Sequence, residues 1–183
     1  MMAELSMHIM DIIENGISAG AYHIDLFIEE NIPKDRLNIT IIDNGKGMDA
    51  DTIKKALEPS YSTKEGKGWG LGIPLFKQTV EHCNGSFEIF SKEKMFTKVI
   101  ADMEFSHIDR PPMGDLTGSV ISIITGHPEI DLFVVLKKNK KKYEFDTRII
   151  REVVGDINLS SPEVLLYIKN DINEGLKEIE FED

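Results

Sequence analysis

Two glycine clusters constrain this chain more than any other feature: DNGKGM at 43–48 and GKGWGLG at 66–72. The first follows an apolar, alternating stretch, LNITIID, that ends in Asp43. The Asp43 carboxylate therefore starts at the edge of a core, where it must find hydrogen-bond donors. An adenine amino group is one such donor. Gly45 and Gly47 let the backbone turn tightly and approach a flat ligand, although Asn44-Gly45 also suits an ordinary turn. The second cluster opens straight into an apolar-periodic stretch, so its exposed amides and the helix N-terminus suit a polyphosphate. It is not a P-loop, because Gly66-Lys67 lacks the upstream Gly and the following Ser/Thr. Nor is GxGxG the GxGxxG spacing that follows a strand.

The periodicity around these clusters organises the rest. Apolar residues at Leu5, Ile9, Ile12, Ile13 and Ile17 predict a helix over 4–18, closed by Gly20. Asp11, Asn15 and Ser18 fall on one other face of it, within about 60° on a helical wheel. Strands are predicted over 22–30 and 37–43, and a short helix over 50–57 capped by Asp49. An irregular segment covers 58–70, a helix 71–83, and two further strands 85–92 and 95–105. Pro111-Pro112 and Gly114 then mark a boundary. Beyond it the pattern predicts strands near 118–125, 131–137 and 141–146 and helices near 147–155 and 162–178, the last starting at Ser161-Pro162. Helices and strands without regular βαβ alternation imply a two-layer α/β (α+β) sandwich with a mixed or antiparallel sheet.

Composition narrows the function classes. The net charge of −11 disfavours nucleic acid and anionic membranes as partners. Five lysines within 137–142 are a local exception, and they read as the solvated turn of a hairpin. One cysteine, Cys83, excludes an internal disulfide, and the five scattered histidines make no metal-ligand pattern. No signal peptide and no apolar run long enough to span a bilayer are evident, so a cytoplasmic location is expected.

Order and spacing together resemble the GHKL, or Bergerat, ATP-binding fold. DIIENGISAGA (11–21) is similar to its asparagine box, and DNGKGM to its first glycine box. EPSYSTKEGKGWGLGIPLFKQTVEHCNG (58–85) is similar to the lid and second glycine box of sensor histidine kinases, and FTKVIADM (96–103) to the closing strand. The resemblance covers residues 1–105 and implies a Bergerat-type sheet covered by helices. It divides the chain into an ATP-binding domain, 1–108, and a small α+β extension, 109–183, packed on the first. The resemblance implies Mg²⁺ on Asn15 and the adenine amine on Asp43. Gly45, Gly47 and Met48 would lie in the loop by the base, and Thr97 would support adenine directly or through water. It implies phosphates on the amides of Gly68, Gly70, Leu71 and Gly72, with Lys64 and Lys67 as candidate countercharges.

Two departures bear on the chemistry. ATPases of the family carry Glu four residues before the magnesium asparagine, as the base that activates water. Asp11, one methylene shorter, stands there. Phe96 replaces the glycine that usually precedes the closing-strand Thr. The chain also begins almost at the asparagine box, so autophosphorylation in cis is not expected, and residues 109–183 are too short for a transducer domain. The expected function is therefore an Mg-ATP-binding module of histidine-kinase catalytic type. It would transfer phosphate to a separate protein or act as an ATP-driven switch. A slow ATPase using Asp11 and an anti-sigma-like binding module are the alternatives.

Overall fold

The computed structural model describes residues 4–58 and 71–181. Its frame is a six-stranded sheet: β1 (His23–Asn31), β2 (Arg36–Asp43), β3 (Ser86–Lys92), β4 (Phe96–Glu104), β5 (Asp131–Lys138) and β6 (Lys141–Asp146). The strands lie in the order β3-β4-β2-β1-β5-β6, antiparallel except for the β1–β5 pair. This is the mixed sheet of an α+β sandwich. The lone parallel pair has a structural reason, because a parallel neighbour needs a crossover. Here the crossover runs from β4 through a helix to β5.

Among the described residues six α-helices accompany the sheet: α1 (Leu5–Ser18), α2 (Ala50–Ala56), α3 (Gly72–His82), α4 (Leu116–Gly126), α5 (Thr147–Val154) and α6 (Pro162–Ile179). Strict alternation in β1 and β2 sends Ile24, Leu26, Ile28, Leu37, Ile39 and Ile41 to one face. There they pack with Leu5, Ile9 and Ile13 of α1, Phe76 and Val80 of α3, and Ile168 and Ile172 of α6 in one continuous core. The first two N–H groups of α1 have no side-chain cap. They donate instead to the carbonyls of Pro112 (2.9 Å) and Met113 (2.8 Å), which ties the chain beyond the prolines to the helix that carries Asp11 and Asn15.

Most boundaries follow the periodicity, and Asp49 caps α2 by accepting from the Thr52 N–H at 2.7 Å. The strand expected near 118–125 is instead helix α4. Its run of β-branched residues suits a strand by propensity, but its buried apolar residues, Leu116, Val120, Ile123 and Ile124, follow a helical spacing. Asp115 caps it, accepting from Gly118 N–H at 2.6 Å, so burial and capping override propensity. At the start of α6, Pro162 occupies the first turn, but the Ser161 hydroxyl makes no cap bond and is buried without a partner among the described residues. The lysine-rich run forms the β5–β6 hairpin. Lys138 reaches Glu30 and the Glu180 carbonyl, and Lys141 pairs with Glu180 at 2.6 Å.

Candidate functional site

At one end of the sheet, the helix-covered face changes character within a single register step. One row reads Leu26–Ile41–Val99–Ile89 across four strands, and the next reads Ile24–Asp43–Thr97–Ser91. Three neighbouring polar side chains thus stand where the core would otherwise continue. Asp43 is only 5% exposed, and its Oδ1 accepts from the Gly45 N–H at 2.9 Å. Among the described residues its Oδ2 has no partner. Burial pushes the Asp43 carboxyl above its usual range, partly offset by the Gly45 N–H.

Glycines hold this carboxylate closely. A Cβ on Gly16 of α1 would lie 2.9 Å from Asp43 Cβ, and one on Gly45 would lie 2.9 Å from Oδ1. Gly16 therefore lets α1 rest directly on Asp43, a role that the helical pattern alone does not reveal. The loop beyond Asp43 is pinned at several points. Asn44 Oδ1 accepts from Tyr22 and His23 N–H groups at 3.0 Å each, and the Lys46 N–H donates to Ala19 O at 3.0 Å. Gly47 adopts φ +63°, and a Cβ there would meet Lys92 O at 2.1 Å. Only glycine lets the loop run against the β3–β4 hairpin at that point. The Met48 N–H donates to Ser91 Oγ at 2.8 Å.

On α1, Asp11 and Asn15 lie one turn apart beside this row. Asn15 is exposed, and its side-chain amide has no partner among the described residues. Asp11 is half-buried against the start of α3, where a Cβ on Gly72 would lie 2.9 Å from its Oδ2. Burial and then the neighbouring Glu14 charge push the Asp11 carboxyl upward. Glu14 itself turns toward the end of α4, 3.6 Å from His127 Nε2. Leu71, immediately before α3, is exposed. Asp43, Gly45, Gly47, Met48 and Thr97 thus gather at one end of the sheet, while Asp11 meets Gly72 at the start of α3, with Asn15 one turn along α1 and Leu71 just before α3. Lys64, Lys67, Gly68 and Gly70, and all but the first residue of the expected lid, lie outside the described residues.

Beneath the site, His8 of α1 is fully buried and stacked on Phe76 of α3 (4.9 Å between centroids). Its Nε2 is 3.2 Å from Thr79 Oγ1, while its Nδ1 has no partner among the described residues. Burial pushes its pKa down to about 4. This neutral imidazole fastens together the two helices that flank Asp11.

Two residues of this neighbourhood escape sequence reasoning. Ser91 joins the 44–48 loop to β4, and Gly16 sets the approach of α1. An inward serine in the cross-strand row beside Asp43 and Thr97 would be the signal for the first, but it needs the register to be known.

The resemblance extends to known proteins. The model of the histidine kinase-, DNA gyrase B- and HSP90-like ATPases matches residues 3–107, more than half of the chain. The sensor protein DegM of a Bacillus species is 34% identical over 95 residues, which are 52% of this chain and 25% of that protein. Sporulation kinase C of Bacillus subtilis is 33% identical over 89 residues, 49% of this chain and 21% of that protein. The matched stretches thus span about a quarter or less of these relatives. The crystal structure of the N-terminal domain of a DNA repair protein superposes with a TM-score of 0.58 over 96% of this chain and 59% of that one. At 13% identity it speaks for the fold alone. No described helix is long and apolar enough to cross a membrane. With the family model covering both glycine boxes, the chain belongs to the histidine kinase-, DNA gyrase B- and HSP90-like ATPases.

Proposed function

We propose that this chain is an Mg-ATP-binding catalytic module of histidine-kinase type, which passes phosphate to a separate protein or changes shape on binding ATP. The observation that carries the reading is Asp43: a buried carboxylate at a strand end, with one oxygen held by Gly45 and the other without a partner among the described residues. The second oxygen is free to accept from a ligand donor, and the 6-amino group of adenine is one. The backbone of Gly45 and Gly47 would let the ring lie close. Leu71 and Gly72 would offer amides to the phosphates at the start of α3, beside Gly68 and Gly70 with Lys64 and Lys67.

Asn15 fits Mg²⁺ as a single amide-oxygen ligand, since this ion takes few protein oxygens and completes its shell with phosphate and water. Its side chain has no competing bond among the described residues. Bound there, the ion would neutralise phosphate charge. Catalysis of phosphoryl transfer is mostly positioning and charge neutralisation, so the receiving group can belong to a partner. A second reading, slow hydrolysis, is favoured by Asp11, which is half-buried at the start of α3 with its carboxyl pushed upward, toward the range of a general base.

One experiment separates these readings. Mg-ATP should bind with a calorimetric preference over Mg-GTP, and equal affinity sinks the adenine assignment. With γ-labelled ATP, label on a co-purifying protein supports the kinase. Free phosphate that disappears in Asp11→Asn, with binding unchanged, supports the ATPase. Neither outcome leaves a regulatory binding module resembling anti-sigma factors.

A further inference from the structure

Ser91 Oγ meets three polar atoms. It accepts from the Met48 N–H at 2.8 Å, donates to the Phe96 carbonyl at 2.8 Å, and lies 3.0 Å from Thr97 Oγ1. A serine hydroxyl has one hydrogen and two lone pairs. The Phe96 carbonyl has no hydrogen to give, so that contact consumes the Ser91 hydrogen. The Ser91–Thr97 contact can then be a hydrogen bond only if Thr97 is the donor. The Thr97 hydrogen is thereby turned toward Ser91, away from the other side of the row, where Asp43 is the cross-strand partner.

Neighbours directly opposite in an antiparallel sheet have Cβ atoms about 5 Å apart. The Asp43 carboxylate and the Thr97 oxygen are therefore neighbouring acceptors in one row, the Thr97 hydrogen being spent on Ser91. A group with two hydrogens on one atom satisfies both, and a carbonyl satisfies neither. We propose that Ser91 is a positioning residue that fixes the polarity of the Thr97 hydroxyl and so makes the site select a 6-amino over a 6-oxo purine. The proposal rests on the adenine reading of Asp43 above and adds to it the residue that sets the base preference. The three contacts also give Ser91 a second task, holding Met48 and hence the 44–48 loop, which acts on any nucleotide alike.

The test compares ATP with inosine triphosphate, which differs in carrying an oxo group at position 6, by calorimetry on the full chain. Wild-type protein should prefer ATP. In Ser91→Ala the Thr97 hydroxyl is free to turn its hydrogen toward an oxo group, and the ATP-to-ITP preference should fall about tenfold, the worth of one hydrogen bond. Loss of the Met48 anchor would weaken both nucleotides and leave their ratio alone. Ser91→Thr, which keeps the hydroxyl, should restore the ratio. In a Thr97→Val background, Ser91→Ala should change the ratio less than twofold, because the relay then has nothing to orient. A ratio unchanged in Ser91→Ala overturns the proposal, as does a Ser91 effect that survives in Thr97→Val. Should Ser91→Ala fail to fold, Thr97→Val alone carries the test, since an undiminished ATP preference without that oxygen also refutes it. If wild-type protein does not prefer ATP at all, the adenine reading of Asp43 fails first, and the relay with it.

Discussion

Replacing Asp43 by Asn tests the base-recognition reading with the least disturbance of shape. The Asn side chain can keep the existing bond, because its amide oxygen can accept from the Gly45 N–H as Oδ1 does at 2.9 Å. What changes is the other position, where the partner-free Oδ2 becomes an NH₂ group facing the 6-amino group of ATP. The site then loses a hydrogen bond to a charged acceptor, worth about 1.5–3 kcal/mol, and sets donor against donor. At about 1.4 kcal/mol per factor of ten, ATP should bind roughly ten- to a hundred-fold more weakly. Inosine triphosphate should lose little or gain, since its oxo group now meets a donor. Folding should not suffer. Burial disfavours the Asp43 charge, as the upward displacement of its carboxyl shows, so a neutral amide removes a desolvation cost. Calorimetry with both nucleotides and a thermal melt give the answer. A folded Asp43→Asn protein that binds ATP within about threefold of wild type refutes the assignment.

Three further outcomes follow from the geometry. His8, at about 4 in the folded protein, lies below its ordinary 6.5, so the unfolded chain binds the proton more readily. Its contribution is intact above pH 6.5 and is lost as pH falls toward 4, amounting to about 3 kcal/mol. Urea titrations at pH 7 and 4.5 should show a smaller acid loss for His8→Gln than for wild type, and equal losses would remove His8 as the cause. Gly16→Ala should gain about 1 kcal/mol of helix propensity but drive a Cβ to 2.9 Å from Asp43 Cβ. ATP affinity should then fall, and the melt should fall too, because overpacking a buried contact costs about 1–3 kcal/mol. An Ala variant with wild-type affinity would mean that α1 has room to move. Asn15→Ala should leave stability within about 0.5 kcal/mol, as for exposed sites, and weaken the Mg²⁺ dependence of ATP binding. Unchanged metal dependence in calorimetry counts against Asn15 as the ligand.

The sequence is most legible where one periodicity holds without competition. β1 and β2 alternate strictly, α1 carries its isoleucines on one face, and the cap of α2 sits at Asp49. It is least legible where two signals disagree. In α4 the valine and isoleucines suit a strand, and the helical spacing of the buried set shows its meaning only once α1 and α6 are there to cover it. The elements that carry Asp11, Asn15, Asp43 and Thr97 were readable from periodicity, because each is of a plain type. Ser91 was not. Its partners are 43 residues back at Met48 and 6 residues ahead at Thr97, and it takes both the β3–β4 register and the path of the 44–48 loop to bring them to one hydroxyl. Gly16 was hidden for a related reason, since what a glycine permits depends on what approaches it.

The boundary between core and site is set by register. Ile41, Val99 and Ile89 form an apolar row on the covered face, and Asp43, Thr97 and Ser91 form the next row on the same face, two residues along each strand. The outward residues between them, Ile42 and Lys98, face the other way. A slip of one residue between β2 and β4 would separate Asp43 from Thr97 and send one of the two rows to the wrong face. That slip is opposed by the apolar rows below, where Leu37, Ile39 and Ile41 of β2 meet Met103, Ala101 and Val99 of β4, each nearly free of solvent. The same hydrophobic burial that stabilises the sheet therefore fixes the spacing of the polar groups at its end. α1 extends the dependence, since Ile9 and Ile13 hold the helix in the core while Gly16 brings its last turn onto Asp43. A substitution deep in this core, such as Ile41→Ala, thus acts on the site through pairing and helix approach, although Ile41 itself lies a full register step from Asp43.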